Sequence, residues 1–154
     1  MKTIHSFTID HDVHGEGFYL STKYGDVYTY DLRFVFPNSG DYIPSPAMHT
    51  IEHLFATASR NGRLSDKVIY FGPMGCRTGF YLLLRDVNIT DALSYTIECI
   101  KTCLGMEDIP GNSRRECGNY LEHDLIEAKL RLQKYLEVLQ KNGESGKKRV
   151  VKTT

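Results

Sequence analysis

Hydrophobic and polar positions alternate over residues 4 to 10, "IHSFTID", and period two predicts a strand there. Residues 17 to 36, "GFYLSTKYGDVYTYDLRFVF", hold two runs rich in aromatic and β-branched residues, split by Tyr24-Gly25-Asp26. That pattern predicts a hairpin. Residues 37 to 46 contain Pro37, Asn38, Gly40, Pro44 and Pro46 and read as loop. The period then changes. From Ser45, a good N-cap, and Pro46, a good first helical residue, a 3.6-residue repeat runs to Asn61-Gly62. Residues 66 to 71 and 78 to 87 read as two further strands around "GPMGCR". A second helix, capped by Thr90 or Asp91, covers "ALSYTIECIKTCL" and stops at Gly105. Residues 105 to 120 are loop-like, and a third helix is expected from about Asp124 to Gln140. The class is α+β: an antiparallel sheet packed against three to four helices. Residues 1–141 form one domain, and 142–154, a basic stretch with no hydrophobic pattern, is expected to be disordered.

The first helix carries the first candidate chemistry. At 100° per residue, Ile51, Leu54, Phe55 and Ala58 form one apolar stripe. His49, Glu52, His53, Ala56 and Arg60 gather on the opposite side. Imidazoles at i and i+4 can bind one metal ion, and a glutamate between them can serve as a general base. H-x-x-E-H is the inverted form of a known metallopeptidase motif. A solvated polar face explains the same residues equally well until a third ligand is found.

Charge narrows the partners. Nineteen basic and nineteen acidic residues cancel, so no global field draws nucleic acid or a membrane surface. No apolar run approaches a spanning length, and the N-terminus shows no secretory signal pattern. A cytoplasmic protein with reduced cysteines is expected. Cys99 and Cys103, one helical turn apart among Ile97, Ile100 and Leu104, read as core. Cys117, in the polar loop "NSRRECGNY", is a metal-ligand candidate or a half-exposed structural cysteine. Cys76, in "GPMGCRTG" beside Arg77, is a reactive-thiolate candidate or a turn cysteine.

Five motifs occur in order: "SFTIDH" (6–11), "YDLRFVFPN" (30–38), "HTIEHLFATASRNG" (49–62), "GPMGCRTGFY" (72–81) and "IPGNSRRECGNYLEHDL" (109–125). Together they resemble the LuxS family of S-ribosylhomocysteine lyases over nearly the whole chain. The resemblance implies a LuxS-type fold, akin to metallopeptidases, in a homodimer with its active sites at the interface. It implies one divalent metal per chain, Fe2+ with Zn2+ or Co2+ as substitutes, held by His49, His53 and Cys117. Glu52 and Cys76 would be the acid/base pair, and Ser6, His11, Arg33, Arg60 and Gly118 would contact substrate. Arg60 lies about two turns beyond His53, roughly 10 Å along the axis, and would hold a distant part of the site. The implied reaction cleaves S-ribosylhomocysteine to homocysteine and the precursor of the quorum-sensing signal autoinducer-2. Two other readings compete with it: a metallopeptidase-like hydrolase and a non-catalytic metal-binding signalling module. One departure stands out: many members carry Asp-Ile-Ser where this chain has Tyr70-Phe71-Gly72. A carboxylate is absent there, and the Tyr70 hydroxyl is the available hydrogen-bonding substitute in a substrate contact.

Overall fold

The computed structural model describes residues 1–143. The expected basic tail therefore falls almost wholly outside the described residues. Four strands, β1 (Gly17–Tyr24), β2 (Val27–Arg33), β3 (Val68–Pro73) and β4 (Gly79–Arg85), form one antiparallel sheet in the order β1-β2-β4-β3. Three helices accompany it: α1 (Ser45–Arg60), α2 (Ile89–Leu104) and α3 (Leu125–Gly143). The class read from the periodicity is therefore the class observed. No described helix is long and apolar enough to cross a membrane.

Local chemistry explains most boundaries. Gly25 takes a positive φ of 60° at the β1–β2 turn, a conformation glycine adopts without steric cost. Asn88 caps α2, accepting from the Asp91 amide at 3.0 Å. The cap thus precedes the two positions expected from sequence, because the helix begins at Ile89 and the cap must stand outside it. Ser45 is likewise the first helical residue rather than the cap, which is Pro44.

The N-terminal strand expected over residues 4–10 is not formed. His5–Phe7 makes a 3₁₀ turn. Local bonds win over alternation here: the Thr8 amide and hydroxyl both donate to the His5 carbonyl, at 2.9 and 2.6 Å.

Alternation along the strands separates two faces. One carries Phe18, Tyr30, Leu32, Phe71, Phe80 and Leu82, all buried in the main core. An aromatic ladder crosses it from helix to helix. Phe55 of α1 stacks on Phe71 (4.2 Å), Phe71 on Phe80 (5.0 Å), Phe80 meets Phe34 (5.0 Å), and Phe34 stacks on Tyr135 of α3 (4.1 Å). Aromatic pairs at such separations add about 0.5–1.5 kcal/mol each beyond area burial. The Tyr135 hydroxyl donates to the Gly17 carbonyl at 2.8 Å, tying α3 to the start of β1. Cys99 and Cys103 join this core as expected. Burial pushes the Cys99 thiol up to about 12 and Cys103 higher still, so neither is a reactive thiolate.

Candidate metal and proton-transfer site

The α1 stripe of Ile51, Leu54, Phe55 and Ala58 is buried, which leaves His49, Glu52 and His53 half-buried on the other side. The loop between α2 and α3 folds over them. His49 Nδ1 lies 2.7 Å from the Glu122 carbonyl, and His53 Nδ1 lies 2.8 Å from the Pro110 carbonyl. A carbonyl only accepts, so each Nδ1 carries the hydrogen and each Nε2 presents a lone pair. Holding the far nitrogen of a ligand histidine in this way fixes its tautomer and ring orientation. Gly111, at φ 67°, lets the loop turn beside the His53 ring.

Cys117 completes the convergence. Its sulfur is 3.4 Å from His49 Nε2 and 3.8 Å from His53 Nε2, and the two nitrogens are 3.1 Å apart. Its amide donates to the Ser113 carbonyl at 3.0 Å, which closes the turn that aims it. Cys117 is buried rather than half-exposed. A fourth group, His123, was not anticipated: its Nε2 is 3.9 Å from the Cys117 sulfur. The four ligand atoms lie within 4.8 Å of one another. Burial, then the neighbouring His49 and His53, hold His123 below the usual histidine range. Only the "LEHDL" motif hinted at it, and no helical or strand spacing links it to α1.

The donor set fits a divalent transition metal. Imidazoles and a thiolate suit borderline ions, and the four ligand atoms lie close enough together to share one. Glu52, next to both histidines in sequence, makes no hydrogen bond or ion pair among the described residues, leaving its carboxylate available for proton transfer.

The other half of the expected machinery lies on the sheet. Cys76 is exposed in the β3–β4 turn, where Arg77 takes a positive φ of 61°. At Gly79 any side chain would run into the Leu32 carbonyl, so this turn meets β2 backbone to backbone. The Cys76 sulfur sits 3.0 Å from the Thr78 hydroxyl. Thr78 in turn accepts from Arg33 Nη1 at 2.9 Å. Arg33, expected at the substrate, is only 1% exposed within this chain and grips Asp31 through Nε (3.1 Å) and Nη2 (2.7 Å). His14 Nε2 lies 3.1 Å from Asp31 Oδ2, the oxygen that also accepts from Arg33 Nη2. The result is a buried chain, His14–Asp31–Arg33–Thr78, ending at Cys76. The sequence pattern missed it because Asp31 and Arg33 sit on the strand face opposite the apolar one, where solvent is the usual neighbour.

The remaining candidates are spread out. Ser6 stands in the 3₁₀ turn and His11 just after it, both half-buried. Arg60 is exposed and donates to the Ile69 carbonyl at 3.2 Å. Gly118 faces open space. The Tyr70 hydroxyl occupies the space a Cβ on Gly72 would need, so the Tyr70 and Gly72 departures are coupled.

An α+β domain that gathers three histidines and a cysteine beneath a loop, with a separate exposed cysteine in a hairpin turn, has the parts of a metal-dependent enzyme. The profile of the family S-Ribosylhomocysteinase (LuxS) matches residues 4–145, and the chain belongs to that family. A relative named S-ribosylhomocysteine lyase from Borreliella afzelii (strain PKo) is 44% identical over 150 residues, covering 90% of this chain and 93% of its own. Proteins of the same name from Phocaeicola vulgatus (46% over 148 residues, 91% and 92% covered) and Clostridium beijerinckii (45% over 143 residues, 88% and 90% covered) are equally similar.

Proposed function

We propose that this protein cleaves the thioether of S-ribosylhomocysteine, giving homocysteine and 4,5-dihydroxy-2,3-pentanedione. The observation that carries the reading is the convergence of His49, His53 and Cys117 beside Glu52 in a chain of this family.

The substrate joins ribose C5 to the homocysteine sulfur. That C–S bond does not break beside an unactivated alcohol. Moving the sugar carbonyl from C1 to C2 and then to C3 makes the C4 hydrogen acidic. Removing it expels the sulfur from C5 by β-elimination. Each carbonyl shift takes a proton from one carbon and returns one to its neighbour. Glu52 and Cys76 perform these transfers, and positioned groups of this kind contribute roughly 10²–10⁴-fold each. His49, His53 and Cys117 hold a divalent ion, with Fe2+ as the proposed cellular occupant and Zn2+ or Co2+ as substitutes. The ion supplies Lewis acidity to the sugar oxygens and needs no redox change. Arg33 and Thr78 position Cys76 from behind. Ser6, His11, Arg60, Gly118 and Tyr70 contact the rest of the substrate.

The working form is a homodimer in the cytoplasm. The segments that bear site residues also expose Phe7 (76%), Val13 (77%) and Leu121 (81%), apolar surface suited to a second chain. Residues 1–141 act as one catalytic domain.

The test is thiol release from S-ribosylhomocysteine by anaerobically purified, metal-analysed protein. Cys76→Ala and Glu52→Gln are expected to abolish release with the metal retained. Full activity in Cys76→Ala would sink the mechanism. Sedimentation at the mass of a single chain would overturn the dimer.

A further inference from the structure

We propose that the segment between β2 and α1 is a strap that holds the Cys76 turn in register with the metal helix, and that Tyr42 is its positioning residue. This rests on the reading of Cys76 as a proton-transfer group. It adds two residues, Tyr42 and Arg131, that lie in none of the five motifs.

The turn runs from Met74 to Arg77 and is closed by the Arg77 amide, which donates to the Met74 carbonyl at 3.0 Å. The Met74 amide donates to the Gly79 carbonyl at 2.9 Å. Arg77 ends the turn at φ 61°, in the left-handed region that glycine, asparagine and aspartate enter readily and arginine does not. Such a conformation persists only where its surroundings fix it. Cys76 is the residue before, so whatever fixes Arg77 also aims the Cys76 sulfur.

The strap supplies that restraint near both of its ends. Leaving β2, the Phe34 and Val35 amides donate to the Thr78 carbonyl at 2.9 and 3.1 Å. Returning toward α1, the Ile43 amide donates to the Arg77 carbonyl at 3.0 Å. The Arg77 guanidinium lies over the Tyr42 ring, 5.6 Å from its centroid and within cation–π range. Two consecutive strap residues thus hold Arg77, one by its backbone and one by its side chain. The strap is itself fixed. Ile43 is fully buried in the core, and the buried Arg131 of α3 donates to the Asp41 carboxylate at 3.0 Å and to the Tyr42 carbonyl at 3.4 Å.

Place in the chain gives the strap its role. Pro44 follows Ile43 and caps α1, which carries His49 and Glu52 about one and two turns further on. One short segment therefore grips the cysteine's turn and opens the helix of the metal ligands. Glu52 and Cys76 come from different elements, and transfers between neighbouring carbons need both within hydrogen-bond reach of one substrate. Releasing Arg77 from Tyr42 lets the turn relax and swings the Cys76 sulfur away from the Thr78 hydroxyl, 3.0 Å from it in the structure.

The experiment uses the full chain, metal-loaded, and reads Cys76 in two ways. One is its alkylation by iodoacetamide, which reports the thiolate and is followed on the Cys76 peptide by mass spectrometry. The other is thiol release from S-ribosylhomocysteine. Tyr42→Leu is expected to slow alkylation and kcat roughly two- to fivefold, the scale of one cation–π contact, with KM and metal content unchanged. Tyr42→Phe keeps the ring and should match wild type. Arg77→Asn suits the left-handed turn but lacks the guanidinium, so it should reproduce Tyr42→Leu. The double variant should lose no more than either single one. Arg131→Met should move both readouts in the same direction. Tyr42→Met serves if Tyr42→Leu does not fold. Alkylation at the wild-type rate or faster in both Tyr42→Leu and Arg77→Asn would overturn the strap. An equal loss in Tyr42→Phe would overturn the ring contact as its agent. Full activity in Cys76→Ala would instead bring down the proton-transfer reading, and the alkylation rates would still decide whether Tyr42 positions the cysteine.

Discussion

Two polar clusters shape this domain, one buried on the sheet and one half-buried beside α1, and they differ in completeness. On the sheet, the Arg33 guanidinium meets the Asp31 carboxylate with two hydrogen bonds, His14 and Thr78 fill the flanks, and opposite charges cancel. Beside α1, the ligand atoms of His49, His53, His123 and Cys117 gather within 4.8 Å of one another. The first cluster is satisfied by its own members. The second is balanced only when a cation joins it. Buried polar groups that lack partners are costly, so an incomplete cluster held together by backbone carbonyls marks a ligand site. A complete one marks structure, here ending at a cysteine.

The contrast can be broken most severely at the incomplete cluster. Cys117→Ala is expected to lose the metal, and with it several kcal/mol of transition-state stabilisation, about 10³-fold in thiol release. Its melting temperature should approach that of metal-stripped wild type, because both lack the same bound ion. Calorimetry with and without chelator compares the two.

The complete cluster should answer in stability. Asp31→Leu leaves the Arg33 charge buried and unpaired, at a cost of about 3–5 kcal/mol in urea unfolding. The double variant Asp31→Leu/Arg33→Met should recover much of that loss, since removing both charges also removes their desolvation. Equal losses in the single and double variants would show that packing, not charge, governs this region.

The acid limb of stability is a smaller effect. Burial pushes the Asp31 carboxyl up, but hydrogen bonds from His14 and Arg33 outweigh it and hold it below its ordinary value. A folded value below the unfolded one contributes stability above the unfolded carboxyl range, about 3.9, lost as pH falls through the folded value. Melting temperature followed from neutral to acid pH should therefore drop less steeply in Asp31→Asn than in wild type. The smallest change is Thr78→Val. It removes the link between Arg33 and Cys76, worth about 1 kcal/mol, and should slow thiol release several-fold with the metal fully bound. An unchanged rate would confine the sheet cluster to a structural role.

The sequence alone determined much of the scaffold and part of the site. Hydrophobic period and turn signals located the β1–β2 hairpin and the three helices, though the caps of α1 and α2 fell one to three residues earlier than expected. The wheel of α1 put His49, Glu52 and His53 opposite the Ile51, Leu54 and Phe55 stripe, and the structure keeps them there. These are short-range properties, set by 3.6 and two-residue repeats. Tertiary structure decided the rest. Residues 4–10 alternate like a strand, but local hydrogen bonds curl them into a turn. The partners of Arg33 within the chain, Asp31 and Thr78, came only from the fold. His123 meets α1 through the Thr50 hydroxyl and the face of His49, contacts set by the fold rather than by local spacing. Such choices depend on which distant groups share one buried volume, and a linear pattern carries no record of that.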